Sequence, residues 1–305
     1  MLSTTGSLPL EVLLMILDFS DTGVLSAWRR TCRAFQDRVH RILTHTIHAV
    51  ISHYLLDPMH IVGLLRRWDA IITDHAAVAF LLRDLDVLTR ELVISVHADD
   101  FDNLCAHLLR RYSLKPFPES APSSDGPTVQ LYRISESPSL WLRVRCITAY
   151  TTPPLKSPVA GLGCAEHTAA MNFVGADIYG CAYPSLTLRR RALLRLPWNR
   201  LQHWQSPALK DILLFMAKGR FTFSADPYTL LDERLTPIDF GPFRLPCLRS
   251  MYICDCRPRY FGDYGSLVDV FDLSRPHRPQ LVHQLDMDTG RGIVSVRRIV
   301  AANQT

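Results

Sequence analysis

Apolar residues at the start of the chain recur with the period of a helix. Val12, Ile16 and Phe19 share a face, Leu13 and Leu17 lie beside them, and Pro9 sits where a helix start tolerates its missing N–H. Ser20, Asp21, Thr22 and Gly23 supply cap and turn chemistry that ends this helix. A second helix is predicted from residue 24, carrying Leu25, Trp28, Cys32, Phe35 and Val39 and decorated by Arg29, Arg30, Arg33, Arg38 and Arg41. Both helices are apolar over more than one face. A hairpin of about forty residues cannot bury that much apolar surface alone, so the pattern asks for a partner surface.

After Asp57-Pro58 the pattern alternates between helix and strand. Residues 61–68 read as a helix, 70–73 as a short apolar strand and 76–83 as a second helix. Residues 91–97 (ELVISVH) are β-branched and alternating, hence a strand. Asp99 and Asp100 are read as the cap of an amphipathic helix through Phe101, Leu104, Cys105, Leu108 and Leu109. Residues 113–128, rich in Pro and Ser, read as an exposed loop. Residues 129–134 and 140–147 alternate on either side of Ser135-Glu136-Ser137-Pro138, a hairpin signal. A Pro-rich loop over 151–158 follows. Ser206-Pro207 opens a helix over Leu209, Ile212, Leu213 and Met216, closed by Gly219. The last ninety or so residues show short strands without a clear period. Strand, helix, strand, helix predicts an α+β fold.

Composition narrows the class. The chain has 305 residues, 48% apolar and 21% charged, which supports a packed core and excludes wholesale disorder. No apolar run approaches the roughly 18 residues of a membrane span, and the N-terminus lacks the basic region of a signal peptide. A soluble intracellular protein, cytoplasmic and/or nuclear, is expected. The net charge is a mild +5, and the lysines are Lys115, Lys156, Lys210 and Lys218, the other basic residues being Arg. Nothing resembles the dense basic stripe of a nucleic-acid binder, so neither nucleic acid nor membrane is expected as a partner.

Eight cysteines without secretory context read as reduced thiols. Cys254 and Cys256 form a C-x-C that reads as alternate faces of a strand. Cys164 with His167 forms a C-x-x-H, short of the two matched pairs of a structural zinc site. His40, His45, His48, His53 and His60 lie on helices at mixed spacing and are not read as ligands. Arg189-Arg190-Arg191 with Arg195, near Trp198, reads as a solvated helix face. No Gly-x-Ser-x-Gly, Walker-type or Gly-x-Gly-x-x-Gly motif is present. No metal or cofactor is expected.

The string Leu8-Pro9-x-Glu11-Val12-x-x-x-Ile16-Leu17-x-Phe19, then Leu25, then Cys32-Arg33-x-Phe35, resembles an F-box over about forty residues. The resemblance implies docking onto the Skp-type linker of a cullin–RING ubiquitin ligase. It assigns contact or framework roles to Leu8, Pro9, Val12, Ile16, Leu17, Leu25, Cys32 and Phe35. Ser20 and Thr31 depart from the usual apolar residues at their positions.

The rest resembles the C-terminal region of basidiomycete-type fungal F-box proteins, which looks like a degenerate nucleotidyltransferase fold. The matching stretches are residues 71–81, residues 91–109, Thr168-x-x-Met171-Asn172-Phe173 and Tyr183-Pro184-x-Leu186-Thr187-Leu188-Arg189-Arg190. A working nucleotidyltransferase places Gly-Ser at a helix N-terminus to hold phosphates. It also places two carboxylates at i and i+2 on one strand to share metal ions. Here the first positions hold Asp74 and His75, the second Glu91 and Val93, and the next antiparallel strand offers Arg143 and Arg145. Asp84-x-Asp86 looks like the missing pair but sits in a loop-like setting.

The expectation is therefore a helical F-box over residues 1–50 and a mixed α/β nucleotidyltransferase-like domain over 51–305. The chain is expected to be a non-enzymatic receptor joining an unidentified target protein to a cullin–RING ligase through a Skp-type linker. The alternatives are a magnesium-dependent nucleotidyltransferase using Asp84, Asp86 and Glu91, or a non-catalytic nucleotide- or RNA-binding relic of one.

Overall fold

The computed structural model describes residues 9–117, 129–135, 137–147, 158–194, 207–225, 230, 259–261 and 266–273, and the short pieces 281–282, 284–285 and 297–298. Leu8, residues 118–128 and 151–157, Arg195, Trp198, Cys254 and Cys256, on which sequence readings were made, lie outside the described residues.

Four helices come first: α1 (Leu10–Phe19), α2 (Thr22–Trp28), α3 (Arg33–Ser52) and α4 (Pro58–Arg67). The predicted second helix is two. Thr31 Oγ1 donates to the Trp28 carbonyl at 2.7 Å, and Cys32 takes an extended backbone (φ −160°, ψ 162°) before α3 starts. The polar stretch Arg29-Arg30-Thr31 kept the apolar period running, so the break was invisible to it. Asp21 caps α2 by accepting from the Val24 N–H at 2.9 Å, and Asp57 caps α4 through His60 at 3.1 Å.

The strand–helix units follow: β1 (Ile71–Thr73), α5 (Asp74–Leu82), β2 (Glu91–His97), α6 (Ala98–Arg111), β3 (Leu114–Pro116), β4 (Val129–Ile134) and β5 (Trp141–Ile147). After these come β6 (Asn172–Val174), β7 (Ile178–Cys181), α7 (Pro184–Thr187), β8 (Arg191–Leu193), α8 (Pro207–Ala217), β9 (Thr222–Ser224), β10 (Arg259–Tyr260) and β11 (Leu267–Val270). The period-2 reading of β2 matches its observed bounds, and β4 and β5 form the antiparallel hairpin expected. Part of the expected 113–128 loop is strand β3, which pairs Leu114 with Ile134. His97, not Asp99 or Asp100, caps α6: its Nδ1 accepts from the Asp99 N–H at 3.2 Å.

One mixed sheet organises the molecule, in the order β11-β7-β6-β1-β2-β5-β4-β3. β5 runs parallel to β2, Glu91 beside Trp141 and Val93 beside Arg143, correcting the antiparallel reading. Alternation fixes which face a side chain occupies; it does not fix which strand lies alongside. A contiguous core runs from Leu17, Leu25 and Leu43 through Ile61, Phe80 and Ile94 to Leu142 and Phe271, so α1–α3 and the sheet share apolar contacts. α3 itself extends across the residue-50 boundary.

Gly180 on β7 is a close-approach position. A Cβ there would lie 2.3 Å from the Phe173 ring of β6. No helix among the described residues is long and apolar enough to cross a membrane.

Candidate functional site

The resemblance positions on α1–α3 divide by burial. Leu17 and Leu25 are fully buried and hold α1 and α2 from within. Val12 and Ile16 lie outward, 38% and 39% exposed. Pro9 is the exposed residue preceding α1, and Cys32 is exposed at the head of α3. Phe35 is half-buried, its ring edge-on to Trp28 at 5.0 Å.

Three further apolar residues complete the outward surface: Met15 at 59%, Phe19 at 87% and Val24 at 41% exposed. Val12, Met15, Ile16 and Phe19 follow i, i+3, i+4 and i+7, one stripe of α1. The same period that predicted the helix marked this stripe; Met15 and Val24 were missed because periodicity does not say which of two apolar faces turns outward.

The base under the stripe is tied to the sheet. Arg83, in the left-handed region after α5 (φ 54°), donates to the Leu17 and Ser20 carbonyls, both at 2.8 Å. Thr22 Oγ1 donates to the Leu81 carbonyl at 3.1 Å. Arg29 is buried and pairs with Asp269 of β11, while also donating to the Val270 carbonyl. Ser26 donates to Asp269, the Tyr179 hydroxyl donates to it at 3.4 Å, and His40 Nδ1 meets the Phe271 carbonyl at 2.8 Å. Burial lowers the Arg29 pKa, with Tyr179 opposing, and pushes the Tyr179 hydroxyl up to about 12 against the pull of Arg29 and Arg30. Nothing in the local pattern around Asp269 pointed to this role.

A second cluster lies where β1 turns into α5. Asp74 opens α5 with φ 57° and pairs with Arg145 at 3.2 Å. Glu91 pairs with Arg143 of the neighbouring strand. Burial raises the Glu91 pKa, opposed mainly by Arg143. His75 stacks on Phe215 of α8, ring centroids 3.7 Å apart, with Nδ1 3.6 Å from Asp211. His167 Nε2 meets the other Asp211 oxygen at 2.8 Å. Burial acts to raise the Asp211 pKa, but the His167 hydrogen bond and the charges of His167, His75 and Arg145 bring it below the usual range. Burial pulls the His75 pKa down despite Asp211 and Asp74. Asp211 and its two histidine partners were not picked out as a group by sequence, since they come from three distant segments.

The chemistry of this cluster is that of neutralised charge. The start of α5 meets the Asp74 carboxylate, and that negative charge disfavours phosphate there. The i and i+2 positions of β2 offer Glu91 and apolar Val93, and Arg143 occupies the carboxylate. Asp84 and Asp86 sit apart, in a 3₁₀ turn (Leu85–Val87): Asp84 accepts from the Asp86 N–H at 2.9 Å and from Arg190 at 2.5 Å. Burial alone would raise the Asp84 pKa; Arg190 and the Asp86 N–H bring it below the usual range. Both aspartates line a polar hollow of about 440 Å³ with His53, Lys218 and Arg220.

Among the described residues no group of three or more His, Cys, Asp or Glu is placed to hold a metal ion. His167 is committed to Asp211, and His60 Nε2 meets His107 Nε2 at 3.1 Å. The Arg189–Arg191 run is not a helix face. α7 ends at Thr187, Arg190 donates to the Gly219 carbonyl at 2.6 Å, and Arg191 of β8 donates to Leu230 at 2.5 Å.

No family model matches the chain, and no curated protein matches it in sequence. Among solved structures, the apo form of a tRNA-processing enzyme is similar with a TM-score of 0.33 and 16% identity, over 53% of this chain and 42% of that one. The chain thus spans less than half the length of that enzyme, and a likeness of this size does not assign a shared fold.

Proposed function

We propose that the chain is a substrate-receptor subunit. Its N-terminal helices act as an F-box that docks on a Skp-type linker, and its sheet domain presents a target to a cullin–RING ubiquitin ligase. The observation that carries this reading is the outward stripe of α1. Phe19, 87% exposed, and Met15, 59% exposed, stand on α1, which buries Leu17 on its other side and is held at its end by hydrogen bonds from Arg83, the residue after α5. Apolar residues held rigidly in water mark a protein contact. Ubiquitin transfer is then a matter of proximity.

The ion pairs at Asp74 and Glu91 support a non-enzymatic reading, because the groups a nucleotidyltransferase would turn to phosphate and metal are spent on Arg145 and Arg143. Co-expression with a Skp-type linker tests the proposal. The wild-type chain is expected to co-purify with the linker. A Met15→Glu/Phe19→Glu variant, unchanged in melting temperature, is expected to lose it. A wild-type chain that folds but forms no complex would overturn the reading, and magnesium-dependent stabilisation by a nucleoside triphosphate, lost in Glu91→Ala, would favour the enzyme instead.

A further inference from the structure

The outer three strands of the sheet have two unlike faces. On one, Leu114, Tyr132, Ile134, Leu142, Val144 and Cys146 are buried, and α6 packs on that side. The other, apart from Ile147, which is buried beside Gly161 at the end of β5, is exposed or half-exposed and follows directly from the register. Lys115 lies beside Arg133, Arg133 beside Trp141, and Trp141 beside Glu91. The next row holds Leu131 beside Arg143, with Phe117 bonded through its N–H to the Leu131 carbonyl at 2.9 Å. Val129 beside Arg145 forms a third row.

The composition of this face is one-sided. Its charged residues on β3–β5 are Lys115, Arg133, Arg143 and Arg145, without an Asp or Glu among them. An ordinary solvated sheet face intersperses both signs and carries few aromatic residues. Here Arg133 lies over the Trp141 ring, 5.1 Å from its centroid, and Phe117 meets the same ring edge-on at 5.1 Å. Leu131 and Val129 form a half-exposed aliphatic centre. The carboxylates Glu91 and Asp74 stand at the inner border and pair with Arg143 and Arg145, and Asp211 of α8 also interacts with Arg145 there. Positive character therefore increases outward, toward Lys115 and Arg133 on the edge strands.

We propose that this face reads the target, by taking an acidic polypeptide segment whose carboxylates meet Lys115 and Arg133 and whose apolar side chains cover Trp141 and Leu131. The inference rests on the receptor reading. A polypeptide suits the face better than a nucleic acid strand. Its charges are sparse and separated by apolar side chains, whereas a phosphate at every nucleotide would meet Glu91 and Asp74 as well as the cations. Arg and Trp are the side chains that contribute most where protein surfaces meet.

The test uses the full-length chain without any linker, so its outcome is independent of docking. Fluorescence anisotropy is measured with three labelled probes: a dodecapeptide alternating glutamate and leucine, an all-glutamate dodecapeptide, and a dodecamer of uridylate. The alternating peptide is expected to bind most tightly and to weaken with salt. Binding is expected to fall about tenfold in Lys115→Glu/Arg133→Glu, and by a smaller factor with an unchanged salt slope in Trp141→Ala. These positions lie on the open face, and an unchanged melting temperature controls for folding. No binding of the alternating peptide by the wild-type chain, equal binding by the charge-reversed variant, or tighter binding of the uridylate would each overturn the inference. A chain that captures the linker but not the peptide would overturn this inference alone; one that captures the peptide but not the linker would overturn the receptor reading on which it rests.

Discussion

His75 is held between the Phe215 ring and the Asp211 carboxylate, with Asp74 and His167 as the other titratable neighbours that act on it. Its pKa in the fold lies below the ordinary 6.5, because burial disfavours the imidazolium more than the two aspartates favour it. The unfolded chain therefore binds more protons at this site as pH falls below 6.5, and stability falls with it. The melting temperature is expected to drop between pH 7.5 and 5.5, and the drop is expected to be smaller in His75→Asn, which does not titrate. Asp269 gives a second prediction. Asp269→Ala leaves the Arg29 charge buried without its partner and is expected to cost about 3–5 kcal/mol in denaturant unfolding. The double change Arg29→Met/Asp269→Leu is expected to cost less, since no charge is then stranded. These roles differ in how far sequence alone could expose them. Asp74, His75, Glu91 and Val93 stood out because the resemblance to a nucleotidyltransferase motif specifies what would be expected at those positions. Asp211, His167 and Asp269 did not, because their importance comes from partners that only folding brings near.

At the scale of elements, the β4–β5 hairpin was legible because one face of it is buried and the period-2 alternation shows, and β2, buried on both faces, was legible from its β-branched run. The parallel pairing of β2 with β5 was not, nor was the short edge strand β3, whose three residues carry too little pattern to stand out from a Pro- and Ser-rich stretch. The break between α2 and α3 is a third case: capping by Thr31 decides it, and capping leaves no mark on hydrophobic period. Element contact also sets tolerance. β6 and β7 approach so closely at Gly180 that Gly180→Ala must displace the Phe173 ring. Its expected cost is about 1–3 kcal/mol in denaturant unfolding, as for other overpacked sites. The stripe on α1 behaves oppositely. Met15→Ala and Phe19→Ala are expected to leave thermal stability within about 0.5 kcal/mol, as changes at exposed positions usually do, while weakening linker capture.

Across the whole molecule, sequence reading captured the mixed α/β class and the surplus of apolar surface at the N-terminus. It did not anticipate that the helices bearing that surplus are anchored by β11, far along the chain, because no periodic signal links the two. The order of synthesis gives that anchor a further meaning. Ser26 and Asp269 are separated by 243 residues, so α2 waits about 12–50 s for its counter-charge at ribosomal rates of about 5–20 residues per second. Asp269 cannot pair with Arg29 until β11 has emerged, so the α2 part of the base is completed last, whereas Arg83 and Leu81, which tie α1 and the start of α2, emerge early. Ribosome-bound chains stalled before residue 269 are expected to capture a Skp-type linker poorly, and chains stalled well beyond residue 273 to capture it fully. Under the receptor proposal, the late arrival of β11 keeps an unfinished chain from recruiting a ubiquitin ligase to the ribosome that is still making it.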